Sequence, residues 1–551
     1  MNDLLFVAER DVETHIWKTV YYQVIEMLKS AYVDTENTTA ENRKTLKSCL
    51  INLFDEGVDY YTQLLTDLST TYRLDLDLFY DPLEPRESGN DRLFKLGIVS
   101  AQKCNLCLGD LARYREQVND GTSSNYGRAR QYYTKANHLE MRNGRPFNML
   151  AILAKMNNRK FEAVYYHARC LSSRNAFQSS KEGLVSIFEE MKRRWEMTER
   201  KRVEERREGE REREGRRIVR GSKVRKEIWE YAGKESRGPR LHRTTSANSS
   251  TEDDLANLSV ADLNKRFINT FLYLQGKLYT QIDTDDFPVA ASNLLDQFRV
   301  LISKSPLPLS TDRLVQIMAL NMFIIEETKV KSPQSSNSTY RSVCQDLALS
   351  LSGDMFGILL ERCNLLVARG LPDMVLQPSS QLEEDLCNLL APIKVWCDWL
   401  LGNNDTWYPL VSSEPFAQLA QLATRLETVK EQVNLTLDEC LSVKSFLAQP
   451  QGESLPPQGS LECIFLSTEG GVRSCEAGRG LSALRVFSLV PRSQLGLLQT
   501  LLSEVMMGFL LKLLFNVIFR TLSIPKAVSA KRVSQILLAV EFLEGNIPMT
   551  F

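Results

Sequence analysis

The sequence predicts an all-α protein, and three observations carry that prediction. Ala129, Tyr133 and Ala136 recur 34 residues later as Ala163, His167 and Cys170, which is the period of stacked helical hairpins of the tetratricopeptide type. Apolar residues return every three or four positions along most of the chain, and segments of alternating apolar and polar residues are scarce. Within the repeat, the small residues let paired helices approach closely. The larger residue one turn later is expected to wedge between hairpins, while Leu150, Ala151 and Ala154 supply the packing face of the intervening helix. Two hairpins cannot bury their own faces, so helices are expected on both sides.

The elements follow in order. Ile16, Val20, Val24 and Met27 set a helix over Val12 to Lys29, and Leu46, Leu50, Leu53, Val58, Tyr61 and Leu65 set another from about Asn42 to Tyr72. Thr39 followed by Glu41 gives the second a polar start. The run DPLEPRESGN from Asp81 to Asn90 reads as loop, and Arg92 to Gln117 as one long helix. After Phe177 a helix runs to about Trp195 and enters a charge run.

Between Lys192 and Arg243 there are 20 basic and 11 acidic side chains, in a chain whose net charge is only −1. Glu and Arg interleaved at three- and four-residue spacing fit a solvated helix. The excess of Arg also allows sequence-independent phosphate contact, through Arg206, Arg207, Arg211, Arg213, Arg216 and Arg217. Ser236 to Asp254 is rich in Ser and Thr and poor in apolar residues, the composition of a disordered linker. Helical spacing resumes after Ser259 in ADLNKRFINTFLYLQGKLYTQI, LVQIMALNMFII, VCQDLALSLSGDMFGILLERC and LLAPIKVWCDWLLGNNDTWYPL. Gln449 to Gly480 is glycine-rich and patternless, and Val528 to Leu543 is again helical. The expected organisation is a helical domain over 1–195, a charged, partly disordered linker over 196–258, a helical-hairpin domain over 259–448, and loop then helices over 449–551.

Composition narrows the function. Eleven scattered cysteines in 551 residues fit free thiols in a reducing compartment, cytosol or nucleus, better than a secreted disulfide framework. No signal-peptide pattern opens the chain. The apolar run Val505 to Phe519 has Lys512 at its centre and falls short of the roughly 20 residues that span a bilayer, so a buried helix and no membrane partner are expected. His15, His138, His167 and His242 have no metal-ligand spacing, and Cys104 with Cys107 is a lone CxxC read as buried thiols. No Walker, GxSxG or HExxH pattern is present. No catalytic residue, metal or cofactor is expected, and the chain reads as a binding scaffold.

The sharpest candidate site is Gly109-Asp110-Leu111-Ala112-Arg113-Tyr114-Arg115. A guanidinium beside a phenol can hold a phosphate through charge-assisted hydrogen bonds. It can equally pair with a carboxylate and tie two helices together.

The segment GDLARYREQ resembles the Gly-Asp-x-x-Arg-Tyr segment of 14-3-3 proteins. Together with IWKTVYYQVIE from Ile16, NYGRARQYYTKA, NGRPFN from Asn143, LNKRFI from Leu263 and IKVWCDWLLGNNDTW from Ile393, it makes residues 12 to 450 similar to the Ever-Shorter-Telomeres-one family. These are the nonsense-mediated mRNA decay adaptors and telomerase-associated proteins, and the similarity is greatest to the endonuclease branch. The resemblance implies a 14-3-3-like domain with tetratricopeptide hairpins, followed by an α-helical hairpin domain. It implies recognition of the phosphorylated upframeshift RNA helicase alongside other decay-complex proteins, in cytoplasm and nucleus. By motif match Arg113 and Tyr114 fall where 14-3-3 proteins bind phosphate, and Asn148 falls near their peptide-backbone asparagine. The early-helix lysine of those proteins is matched by Tyr22, with Lys18 the nearby base that would compensate. The endonuclease branch also carries a PIN nuclease domain. None is legible after Trp407, so the expectation is a fragment or isoform without nuclease activity. The alternatives are a telomerase-associated subunit binding telomerase RNA or telomeric single-stranded DNA, and the regulatory part of an RNA endonuclease.

Overall fold

The computed structural model describes residues 3–34, 39–80, 92–119, 125–221, 255, 258–282, 284–329, 342–374 and 381–403, with scattered positions up to Arg425. The readings of Asp81–Asn90, of Ser236–Asp254, of His242 and of everything after Arg425, the Val505–Phe519 run included, lie outside the described residues.

The described backbone is helical throughout, apart from loops and one isolated bridge between Asn143 and Asn175. The helices are α1 (Leu4–Glu9), α2 (Val12–Ile16), a π-helical turn (Trp17–Tyr22), α3 (Gln23–Val33), α4 (Ala40–Thr71), α5 (Leu76–Tyr80), α6 (Arg92–Val118), α7 (Gly127–Leu139), α8 (Arg145–Met156), α9 (Lys160–Leu171) and α10 (Ser180–Gly221). They continue as α11 (Val260–Thr280), α12 (Phe287–Ser303), α13 (Thr311–Glu327), α14 (Val343–Met374) and α15 (Gln381–Gly402). Side-chain oxygens of Asp3, Thr39, Ser259 and Ser310 accept from the first-turn amides of α1, α4, α11 and α13, removing donors that would otherwise lack partners.

The first predicted helix is interrupted by the π turn, for a reason visible in its spacing. Trp17, Tyr21 and Ile25 are all buried at intervals of four residues. That spacing outruns the 3.6-residue α turn, and the wider π turn keeps all three on the inner face. The Trp17 and Tyr21 rings stack 6.0 Å apart, and Tyr61 of α4 packs on both. Buried Glu13 accepts from Ser100 and Lys103, which pins α2 to α6.

From α6 onward the helices pair as hairpins, α6 with α7, α8 with α9 and α10 with α11. The N-terminal core gathers Trp17, Tyr21, Ile25, Leu50, Phe54, Tyr61, Leu111 and Tyr114. A small core around Tyr133, Phe147 and Leu150 joins α6, α7 and α8. The largest core runs from Phe161 through Phe188, Phe271, Phe298, Phe323 and Phe356 to Trp396 and Trp399. Helix α10 feeds this core with Leu184, Ile187, Phe188 and Met191 and stays helical past residue 195 to Gly221. Within α14, Val343–Ala368 is long and apolar enough to cross a membrane, but 61% of its most apolar window is buried inside the fold.

The repeat itself shows how the hairpins close. Tyr133 of α7 lies flat on Gly109 of α6, where an added Cβ would come within 2.4 Å of the ring. His167 of α9 lies on Gly183 of α10, where a Cβ would come within 2.5 Å. His167 thus wedges between successive hairpins, as expected. Tyr133, its counterpart 34 residues earlier, seats inside its own hairpin, because the glycine that can receive it stands on its own partner helix.

Gly109→Ala should therefore destabilise the protein, although alanine is the better helix former by about 1 kcal/mol. Overpacking against Tyr133 is expected to cost about 1–3 kcal/mol. Urea unfolding checks this, and in a Tyr133→Leu background the penalty of the alanine should largely disappear.

Candidate functional site

Arg113 and Tyr114 lie near the end of α6 at the meeting of α3, α6 and α7. Arg113 is three residues on from Asp110, and its Nη2 donates to Asp110 Oδ1 at 2.9 Å. Tyr133 donates to the same oxygen at 2.7 Å, and Arg113 Nε donates to the Tyr133 hydroxyl at 3.3 Å. The guanidinium carbon stands 4.2 Å from the centre of the Tyr114 ring, within cation–π range. The resulting triad is largely buried, with the Arg113 side chain 12% exposed and that of Asp110 10%.

Burial works against the guanidinium charge, but Asp110 and the two phenols outweigh it, so Arg113 is held above its ordinary range and stays charged. Burial pushes the Tyr114 phenol up to about 12, with Arg113 pulling back. The Tyr133 phenol rises further, first from burial and then from Asp110. At neutral pH both are neutral donors. Of the two readings of Arg113, a carboxylate pair is formed, and its partner sits on the same helix. The triad uses Nε and one hydrogen of Nη2.

A second cation, missed in the sequence, completes this corner. Lys29 of α3 places Nζ 5.1 Å from the centre of the Tyr114 ring. Among the described residues its only ion pair is a long one, 3.9 Å to Glu26 one turn earlier. The signal was available, since Lys29 follows the buried Ile25 by four positions and so lies on the inward stripe of its helix. Lys18 and Tyr22, by contrast, lie exposed on the π turn. Neither touches Arg113 or Tyr114 among the described residues.

Asn148 belongs to a different network. It is buried in α8, and its Oδ1 accepts from Ser180 Oγ at 3.1 Å. Ser180 Oγ also meets His167 Nδ1 at 2.6 Å. A serine has one proton, and it goes to Asn148, so His167 is the Nδ1–H tautomer and donates to Ser180. Burial, then Lys155, pushes the imidazole down to about 4.

The Arg-rich run lies on the second half of α10. Arg207 and Arg211 are exposed, and the side chains of Arg206, Arg213, Arg216 and Arg217 lie outside the described residues. Trp195 stacks on Tyr273 of α11 at 4.7 Å and 14°. Both rings border an 830 Å³ groove lined by Lys192, Arg200, Arg207, Arg211 and Lys277, and by Glu196, Glu199, Glu204, Glu208, Asp285 and Asp286. The charge in the groove is therefore mixed. Cys104 and Cys107 are buried on α6 with thiols raised by burial. Among the described residues no three His, Cys, Asp or Glu side chains gather where they could hold a metal ion.

The low imidazole value gives His167 a defined effect on stability. The folded chain resists protonating His167 while the unfolded chain accepts a proton near pH 6.5. Its contribution is complete above about pH 6.5 and is lost as pH falls toward 4, by up to about 3 kcal/mol. Urea unfolding between pH 7.5 and 4.5 should show a slope that flattens in His167→Gln. The His167 ring resonance should not titrate above pH 5.

Comparison with known proteins places these features. Residues 11–119 match the family described as telomerase activating protein Est1. Residues 129–449 match the Est1 DNA/RNA binding domain. Telomerase-binding protein EST1A of Danio rerio is 35% identical over 430 residues, 74% of this chain and 27% of that protein. Nonsense-mediated mRNA decay factor SMG7 of Danio rerio is 26% identical over 215 residues, 36% of this chain and 17% of that protein. Factor SMG5 of Homo sapiens is 26% identical over 195 residues, 34% of this chain and 18% of that protein. The chain thus spans about a quarter or less of the length of these relatives. A crystal structure of Est1 and Cdc13 contains a chain sharing the fold, with a TM-score of 0.53 at 11% identity over 93% of this chain and 90% of that one. With the DNA/RNA-binding-domain match alone extending over residues 129–449, more than half its length, this chain belongs to the Est1 family.

Proposed function

We propose that this chain is a phosphopeptide-binding adaptor in nonsense-mediated mRNA decay. Its ligand is the phosphorylated upframeshift RNA helicase, and it works with other decay-complex proteins in cytoplasm and nucleus. The observation that carries the reading is the approach of both Arg113 and Lys29 to the Tyr114 ring. A phosphate entering there meets the Nη1 hydrogens of Arg113, the ammonium of Lys29 once it leaves its long contact with Glu26, and the Tyr114 phenol as a neutral donor. Lys29 takes the part of the early-helix lysine that position 22 does not supply. Asn148 offers its amide Nδ2 to peptide backbone while its Oδ1 stays with Ser180.

The binding reading needs no catalytic residue, and no nuclease activity is assigned to the chain. The names of the relatives, a telomerase-binding protein and decay factors, agree with an adaptor in one or both settings. A second reading, a nucleic-acid-binding telomerase-associated subunit, draws on the family description of residues 129–449 and on Arg207 and Arg211. The mixed charge of the groove beside them argues against a phosphate track there, since such a track needs a positive excess.

Fluorescence-anisotropy titration of phosphorylated and unphosphorylated helicase-tail peptides tests the proposal. The phosphorylated peptide should bind more tightly by about 1.5–3 kcal/mol, the scale of hydrogen bonds to a charged group. Lys29→Ala, at a partly exposed position, should lose part of that preference with unchanged circular dichroism, and Arg113→Lys, which keeps a cation for Asp110 but not the guanidinium fork, should lose more of it. The preference should shrink below about pH 6, where the phosphate loses its second charge. Equal binding of the two peptides overturns the reading.

A further inference from the structure

On the flank of α10 away from the mixed-charge groove lies a 270 Å³ notch lined by Met191, Arg194, Trp195, Thr198, Leu258, Asp262, Lys265, Arg266, Asn269 and Thr270. Its floor is apolar, made by Met191, Trp195 and Leu258. Three cations stand on its rim, Arg194 from α10 and Lys265 and Arg266 from α11. Among the described residues the one rim acid is Asp262, whose carboxylate accepts from the Oγ of Ser259, the N-cap of α11, at 2.6 Å. Arg194 bridges to Glu190 on its own helix at 2.7 Å, and Lys265 is exposed to solvent. The notch therefore joins an apolar seat to a positive rim, far in sequence from Arg113.

Two ligand classes satisfy a positive rim, and the floor chooses between them. A nucleobase in the notch would strand the polar atoms of its edge. The Thr270 hydroxyl already bonds Arg266 O at 3.0 Å and Gln297 at 3.3 Å, and the Thr198 hydroxyl donates to Arg194 O at 2.9 Å, which leaves Asn269 to serve them, with the rim cations able to meet only acceptors. An aliphatic or aromatic side chain loses nothing on such a floor, and carboxylates on either side of it meet the rim. We propose that this notch binds an acidic peptide segment of a partner protein, with one apolar side chain on Met191, Trp195 and Leu258 and its carboxylates on Arg194, Lys265 and Arg266.

The test uses the full chain and a fluorescein-labelled peptide Glu-Asp-Leu-Phe-Glu-Asp, its Gln/Asn counterpart, and a labelled oligothymidylate. The acidic peptide should bind about tenfold or more tightly than the amide peptide, the combined scale of two or three partly exposed ion pairs. Lys265→Glu, at an exposed position, should abolish that preference, and Lys265→Gln should halve it on a logarithmic scale. Lys29→Ala, at a partly exposed position on α3, should leave it intact, which separates this site from the phosphopeptide site. Equal binding of both peptides, or none of either, overturns the proposal. So does binding of the oligothymidylate that is lost in Lys265→Glu while the peptide is indifferent to the change. Acidic-peptide binding seen only after Glu252, Asp253 and Asp254 are replaced by their amides would mean that the chain fills its own notch, which also overturns it.

Discussion

The seating of Tyr133 on Gly109 is the contact on which the candidate site depends. A side chain at Gly109 would overlap the ring, so the hairpin of α6 and α7 closes only because one helix lacks a Cβ there. The same contact delivers the Tyr133 hydroxyl to Asp110, one residue after the glycine. Asp110 in turn fixes Arg113 one turn further along α6. Backbone approach and site electrostatics are thus one arrangement. His167 on Gly183 repeats the geometry between later hairpins, and its proton goes to Ser180 in the network that holds Asn148.

The charges around Arg113 define what the corner can hold. Arg113 and Lys29 are balanced by Asp110 and Glu26, so the empty corner is close to neutral. Asp110 is locked by two short hydrogen bonds, whereas the Lys29–Glu26 contact is 3.9 Å long and partly exposed, and exposed pairs of that kind are worth about 1 kcal/mol or less. In the proposed reading an incoming dianion would compete with Glu26 for Lys29 and leave the buried triad intact. The guanidinium is presented in a fixed orientation, which lowers the ordering cost of binding.

Helix α10 has two characters. Its first half buries Leu184, Ile187, Phe188 and Met191 between α9 and α11, and its second half is the most highly charged part of the chain. The change falls at Trp195, which borders clefts on both sides of the helix. One cleft carries both signs of charge and the other an excess of cations over an apolar floor. The polarity of the Arg-rich segment as a whole therefore says little about either, because only certain of its residues reach each cleft.

The helical class, the 34-residue recurrence and the stretch Asp110 to Arg115 as a candidate site were legible in the sequence, because each rests on spacing within one segment. The cap at Thr39 and the long helix α6 were legible for the same reason. Helices α5 and α12 were not read: α5 is five residues long, too short for a period to show, whereas α12 carries Ala290, Leu294, Phe298 and Leu301 on one stripe behind Pro288, a signal that was available. The π turn was not legible, as it follows from the packing of three aromatic or aliphatic residues on a neighbouring helix. Sequence spacing could say that Arg113 pairs with something. Asp110, one turn back on the same helix, was within reach of local spacing, but only the tertiary structure decided that Tyr133 joins the pair, that Lys29 and not Lys18 stands beside it, and that Asn148 is committed to Ser180. Those choices depend on distances between groups far apart in the chain, which the packing of helix on helix sets and local periodicity does not encode.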